Sequence, residues 1–202
     1  MDDHVEKRVR KHRDRHQALR ERGYDVDEAR ARVVENARPV AGRVLDVGTG
    51  PGRLAILLAK EEVEVTTIEY EAEGIITACK NAADSDLEDQ IWFLRGDAAC
   101  MPFADETFDL VASANLIHHL EKPVDSIREM LRVCSTNGCV VVADMNATGL
   151  EMLGEVHAEF GGRHEVGPMN ISEVFATLDA EGLFVERWED EFQVLFRISF
   201  IG

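Results

Sequence analysis

The stretch Arg43-Val44-Leu45-Asp46-Val47-Gly48-Thr49-Gly50-Pro51-Gly52 decides the fold, together with the apolar residues 54–59 behind it. Residues 43–47 form a short, largely apolar run that reads as a buried strand ending near an acid. Three glycines at every second position then mark a turn, and residues 54–59 read as the helix that begins there. Glycine lets the backbone turn sharply and lets a ligand approach with no Cβ in the way. The first N–H groups of the helix have no partner within it. A dinucleotide-binding loop uses G-x-G-x-x-G to seat a pyrophosphate on the helix end. Here the third glycine comes one residue early and Pro51 lies inside the turn. Asp46 is awkward beside a pyrophosphate, but it suits an ammonium or a network around one.

Outward from this loop the same rhythm repeats. Residues 63–68 are rich in β-branched side chains and read as a second strand ending at Glu69; residues 71–83 read as a helix. A third strand over 91–94 leads into Gly96-Asp97, and a fourth spans 108–113. A helix over 123–133 turns Ile127, Met130 and Leu131 inward. The turn Ser135-Thr136-Asn137-Gly138 leads into a fifth strand over 138–143. Strands alternating with helices predict a parallel sheet covered on both faces. After Asp144 the rhythm breaks. Residues 146–169, with five glycines, read as a loop or a short helical insert over the active-site edge. A helix over 171–180 follows. Two strands, 184–188 and 192–200, are joined so tightly by Glu189-Asp190-Glu191 that they must run antiparallel. Ahead of the glycine loop, residues 5–23 read as a charge-dense exposed helix. A second helix runs to Asn36, capped by Asp25 or Asp27, with Val26, Ala29, Val33 and Val34 on one side. The expected division is therefore a helical lead-in, residues 1–37, acting as a lid, and a ligand-binding domain, residues 38–202.

Composition narrows the function classes. No apolar run approaches the roughly 18 residues of a membrane span, and nothing apolar follows the N-terminal Met1-Asp2-Asp3-His4, so neither a membrane segment nor a leader is expected. Cys79, Cys100, Cys134 and Cys139 form no C-x-x-C pair, and no histidine cluster stands at zinc spacing. Free thiols in a reducing cytoplasm and no metal site are the expectation. The net charge of -17 is unevenly spread: residues 1–40 carry 11 basic against 9 acidic side chains, the remainder 11 against 30. So acidic a body repels phosphate backbones and makes nucleic acid a poor substrate. The basic residues within 7–16 suit either a partner-binding arm or a solvated helix face. A homodimer through this segment is compatible with the sequence but not decided by it.

Four features stand at carboxyl ends of strands, where open α/β sheets bind ligands. Asp46 and its glycines are the first. Glu69 can accept both hydroxyls of a ribose, which marks an adenosine site without naming a chemistry. Asp97, after the third strand, can accept from an adenine amine. Asn115-Leu116-Ile117-His118-His119 follows the fourth strand. His118 and His119 are the candidates for a catalytic base, against the reading that they pack under a ligand or cap a turn. His157 and His164 lie in the insert and can contact a substrate or simply face solvent. Asp144 either faces an acceptor or caps the next segment. Met145, Met152 and Met169 either line an apolar pocket or fill gaps.

In combination these motifs resemble the class I S-adenosylmethionine-dependent methyltransferases, in particular the small-molecule-type domains, over residues 40–145. The resemblance rests on 44–52, on Glu69, on Gly96-Asp97-Ala98-Ala99-Cys100-Met101-Pro102-Phe103 with Phe108-Asp109-Leu110-Val111, on 115–120 and on 138–144. It implies a Rossmann-like three-layer α/β sandwich whose seven-stranded, mostly parallel sheet ends in an antiparallel last strand. It also implies S-adenosylmethionine as cofactor. Gly48, Gly50 and neighbouring backbone at Thr49 and Gly52 would meet its methionine part, with Asp46 supporting the amino group. Glu69 would hold the ribose, Tyr70 would lie near the adenine, Asp97 and Ala98 would read the adenine edge, and Asn115 and Leu116 would line the floor. Methyl transfer to a small-molecule acceptor is the expected activity. The alternatives are a catalytically inactive cofactor-binding partner subunit, a methyltransferase acting on a macromolecule, and a nicotinamide-dependent oxidoreductase, which the early third glycine disfavours.

Overall fold

The computed structural model describes residues 14–178 and 182–201. After a helix over 14–21 (α1), the chain forms α2 (Val26–Ala37), β1 (Val44–Val47), α3 (Arg53–Ala59), β2 (Val65–Glu69), α4 (Ala72–Ala83), β3 (Ile91–Arg95) and β4 (Phe108–Ala114). It continues through α5 (Pro123–Val133), β5 (Cys134–Met145), α6 (Ala147–Glu159), α7 (Ile171–Thr177), β6 (Leu183–Glu189) and β7 (Gln193–Phe200). Of the expected lead-in helix over 5–23, the part before residue 14 lies outside the described residues, as do the last two residues of the helix expected over 171–180.

One seven-stranded sheet has the order β3-β2-β1-β4-β5-β7-β6. β1 to β5 pair in parallel, and β7 runs antiparallel to both β5 and β6. The strand order reverses between β1 and β4. That reversal opens a crevice beyond their carboxyl ends, because the following segments leave toward opposite faces. β1 is buried along its whole length. Leu45 and Val47 join Ile127, Met130 and Ile171 of α5 and α7 on one face. Val44 joins Val33, Val34, Leu54, Ala55 and Leu58 of α2 and α3 on the other. The three expected layers are therefore present.

α2 starts where the sequence places it. Asp25 accepts from the N–H groups of Asp27 and Glu28, and Val26, Ala29, Val33, Val34 and Ala37 are buried. Because Val33, Val34 and Ala37 share one core with the sheet, α2 belongs to the packed body. α1 instead contributes Ala18 and Leu19 to a small cluster with Tyr24, Val26, Met152, Leu153 and Val156, so the lead-in and α6 are packed together.

Two elements differ from the sequence reading. β5 begins directly after α5, at Cys134. The turn expected at Ser135–Gly138 is an irregularity within it, where Phe108 pairs with Cys134 but Leu110 with Cys139. The segment after Asp144 is a full 13-residue helix, α6. Asn146 caps it through Gly149 N–H, and Met152, Leu153 and Val156 form its buried face. Its glycines hide it in the sequence, since glycine is a poor helix former. Gly149 is there for approach: a Cβ would stand 2.2 Å from the Phe192 carbonyl oxygen.

Candidate active site

A cavity of about 550 Å³ opens at the β1/β4 reversal. Gly48, Thr49, Gly50 and Pro51 form one wall, Glu69 one end, and Asn115 and Leu116 the floor. His118, His119, His157 and His164 gather at another part of its lining. α1 and α2 close over it with Arg15, His16, Leu19, Val26 and Arg30.

The glycine loop is held from below. Gly48 and Thr49 N–H donate to the Ile68 carbonyl. Gly48 has φ +85°, and a Cβ on it would meet the Leu116 side chain at 2.8 Å. Gly50, with nothing within 4 Å of such a Cβ, faces open space. Gly52 packs on Ala78 of α4 and does not line the cavity. Glu69 braces the loop: one carboxylate oxygen accepts from Gly50 N–H at 2.7 Å and the other from Glu71 N–H at 2.9 Å.

Asp46 lies under the loop, 1% exposed. Its Oδ2 accepts from the Thr67 hydroxyl at 2.8 Å, and Thr67 meets the Thr49 hydroxyl at 2.5 Å. Its Oδ1 is buried with no hydrogen-bond partner. Burial disfavours the charged form and pushes this carboxyl up to about 7, against the pull of Thr67 and of the Arg30 guanidinium. Such a carboxyl, with one idle oxygen, is suited to a cationic donor.

Tyr70 is 63% exposed beside Glu69. Asp97 turns the chain after β3, accepting from Ala99 N–H at 2.8 Å. Neither Tyr70, Asp97 nor Ala98 lines the cavity; they lie along the carboxyl edge of β2 and β3 beyond Glu69. Asn115 holds φ +55°, a left-handed conformation that asparagine tolerates better than most residues. Its amide meets the hydroxyl of the buried Tyr24 at 3.3 Å, which ties the lead-in to the floor. Burial raises the Tyr24 phenol to about 12, so it stays a neutral donor.

His118 is 2% exposed. Its backbone N–H donates to Asp144 Oδ2 at 2.9 Å and its Nδ1 meets Asp144 Oδ1. Asp144, wholly buried, also accepts from Met145 N–H at 2.7 Å. It does not cap the next helix, which Asn146 caps, and it lies outside the cavity lining. Its work is to orient His118, leaving His118 Nε2 buried without a partner. Burial, with the neighbouring His118, holds His119 down to about 4, and burial does the same for His164. Of the methionines, Met145 lines the cavity, Met152 is buried in the cluster under α1, and Met169 packs against the main core.

Among the cavity residues that sequence reasoning missed are three arginines. Arg15 comes from the segment read as an arm or solvated face, Arg30 from α2, and Arg53 from the start of α3. Arg53 is paired with Asp27 at 2.8 Å, and Arg30 donates to the Val26 carbonyl at 3.1 Å. Their cationic charge suits an anionic group such as a carboxylate. Nothing in their local spacing announces this, because α1 and α2 meet the glycine loop only in the folded chain. The reverse holds for the metal expectation: no histidine cluster exists in the sequence, yet the fold assembles one.

The model of a family described as a methyltransferase domain matches residues 40–193. The chain is 31% identical over 153 residues to a 27-O-demethylrifamycin SV methyltransferase from Amycolatopsis mediterranei (strain S699), covering 73% of this chain and 56% of that protein. It spans between 34% and 56% of the length of the curated relatives it matches. A solved structure described as a putative S-adenosyl-L-methionine-dependent methyltransferase from Methanococcus maripaludis shares the fold at a TM-score of 0.69, with 23% identity and coverage of 88% and 85% of the two chains. The [4+2]-cyclase SpnF shares it equally, at a TM-score of 0.69 with 18% identity and coverage of 88% and 83%, so the fold alone does not specify the reaction. The match over residues 40–193, on a sheet of this order, places the chain in the methyltransferase domain family, among the class I S-adenosylmethionine-dependent methyltransferases.

Proposed function

We propose that the chain binds S-adenosylmethionine in this cavity and transfers its methyl group to a small-molecule acceptor. The observation that carries the reading is the meeting of Gly48–Gly50, Glu69 and Asn115–Leu116 around one cavity at the strand reversal. In this reading the methionine part lies along Gly48, Thr49 and Gly50, with Gly52 setting the helix start. Its ammonium is served by the idle oxygen of Asp46, and its carboxylate by the arginines of the lid. Glu69 takes the ribose hydroxyls. The adenine extends toward Tyr70, Asp97 and Ala98, and Leu116 supports it from below.

The transfer is an in-line displacement at a carbon whose leaving group is already a sulfonium. Positioning and exclusion of water therefore supply much of the rate. α1 and α2 act as the cover that excludes it. We assign His118 and His119 to the acceptor end, where an acidic proton of the acceptor must be handled. A small molecule suits a cavity of about 550 Å³ and the acidic surface, and relatives named as methyltransferases of demethylrifamycin and demethylmenaquinone support that class.

Calorimetric titration with S-adenosylmethionine and S-adenosylhomocysteine tests the reading, with Glu69→Ala and Asp97→Ala alongside. Saturable binding weakened in both variants is the expected result. Well-folded protein that binds neither ligand would end it.

A further inference from the structure

The histidine cluster has features that cofactor binding does not use. His118 and His119 follow β4, whereas His164 comes from the loop after α6. Each brings one donor atom within 4.8 Å of the others. The ring centroids of His118 and His119 are 4.0 Å apart, and each lies 5.2 Å from that of His164. His157 stands edge-on to His164 at 4.8 Å.

Three observations separate this group from a chance crowding. Asp144 faces His118 Nδ1, which leaves Nε2 pointing away from the carboxylate. A carboxylate behind an imidazole is the arrangement that orients histidine ligands of metals. Next, both His118 Nε2 and His164 Nε2 are buried with no hydrogen-bond partner. Orphaned polar atoms are costly, and two in one cluster share one remedy, a common electrophile between them. Finally, the loop that carries His164 is pinned in place. Gly167 N–H donates to the His118 carbonyl at 2.6 Å, and a Cβ on Gly167 would stand 2.4 Å from the Leu120 carbonyl oxygen. Only glycine lets that loop approach so closely.

We propose that His118, His119 and His164 form a binding site for one divalent cation of the zinc class, with an open coordination position facing the cavity. Imidazole donors suit zinc, nickel, copper and iron rather than magnesium or calcium. Three protein ligands with a fourth position left for water or substrate is the pattern of reactive zinc sites. Donors around one tetrahedral ion at ~2.0–2.1 Å stand roughly 3.3 Å apart, so binding draws the rings together by small side-chain rotations.

This deepens the function proposed above and rests on it for the acceptor's chemistry. The acceptor class is a small molecule whose O–H or N–H becomes acidic on coordination. The proton leaves to solvent as the anion binds the ion. A lone pair on that oxygen or nitrogen then forms the bond to the methyl carbon. The carbon–sulfur bond breaks with its electron pair going to sulfur, giving neutral S-adenosylhomocysteine. The histidines then act on the acceptor through the ion rather than as free bases.

The test is calorimetric titration of chelator-stripped protein with Zn²⁺ alone, and the absorption spectrum with Co²⁺ as a reporter of imidazole coordination. Titration with S-adenosylhomocysteine runs in parallel. The expected result is one Zn²⁺ per chain, at least about tenfold weaker in His164→Ala and in His119→Ala, and lost in the double variant. His164 lies on a loop outside the sheet, so its single variant decides the matter should the double variant fail to fold. Absence of stoichiometric Zn²⁺ binding, or binding unchanged in His164→Ala, overturns the site even if S-adenosylhomocysteine binds. Zn²⁺ binding that needs His164 in protein that ignores S-adenosylhomocysteine keeps the site and removes the cofactor reading instead.

Discussion

Replacing Asp144 by alanine removes the acceptor of three donors at once: the His118 N–H, the His118 ring and the Met145 N–H. All lie where solvent does not reach, Asp144 being 0% and His118 2% exposed. An orphaned buried donor costs about 1–3 kcal/mol, so three set an upper range of about 3–9 kcal/mol. Water entering the vacated space recovers part of this, and broken buried pairs elsewhere cost about 3–5 kcal/mol. We expect Asp144→Ala to lose about 3–5 kcal/mol, a large share of the ~5–15 kcal/mol of a typical domain. At roughly 2–4 °C per kcal/mol for a chain of this size, Tm falls by about 6–20 °C. Asp144→Asn keeps the shape and one good acceptor oxygen, so it loses about 1–3 kcal/mol. Urea unfolding of the three proteins, with thermal scans beside it, measures both. An Asp144→Ala variant within 1 kcal/mol of the parent, at unchanged denaturant slope, would refute the reasoning that Asp144 is the hub of this end of the sheet.

Further outcomes follow from the site. Burial raises the Asp46 carboxyl to about 7, so in the free protein it carries a proton through the acid side of neutrality. A cationic ligand favours its ionised form. S-adenosylhomocysteine affinity therefore rises from pH 6 to pH 8, with proton release seen in buffers of different ionisation enthalpy, and Asp46→Asn flattens the profile; proton uptake would contradict this. The sign for stability is opposite: the folded pKa lies above the ordinary carboxylate value, so Asp46 contributes a loss of stability as pH rises from about 4 to 7, which urea unfolding across that window checks against Asp46→Asn. Glu69→Gln exchanges one charged acceptor oxygen for a donor and is expected to weaken S-adenosylmethionine binding by roughly 1.5–3 kcal/mol, about 10- to 150-fold; titration showing less than a threefold change would remove Glu69 from the ribose. Gly167→Ala forces its loop off Leu120 and is expected to cost about 1–3 kcal/mol as an overpacked contact, measured by urea unfolding, with a neutral result showing that the His164 loop is not pinned.

The parallel half of the fold and the glycine loop are local in origin. Residues 44–47, 65–69 and 108–114 are apolar or β-branched runs whose strand character needs no distant partner, and the glycines of 48–52 declare a turn through their own backbone freedom. Glu69 was legible as a residue of the cavity because the end of such a strand lies by rule at the ligand-binding edge of a parallel sheet, whereas Asp97, read by the same rule, lies outside the cavity lining. α6 was only half legible: Gly149 and Gly154 lower its helix propensity, and its stability comes from Met152, Leu153 and Val156 packing against the lead-in. The histidine cluster, the Asp144–His118 pairing and the meeting of the cavity arginines belong to the tertiary structure alone. They join residues from separate parts of the chain: 15 and 30 with 53, 118 and 119 with 144 and 164. Spacing along a sequence cannot express contacts that exist only once the sheet has brought its edges together.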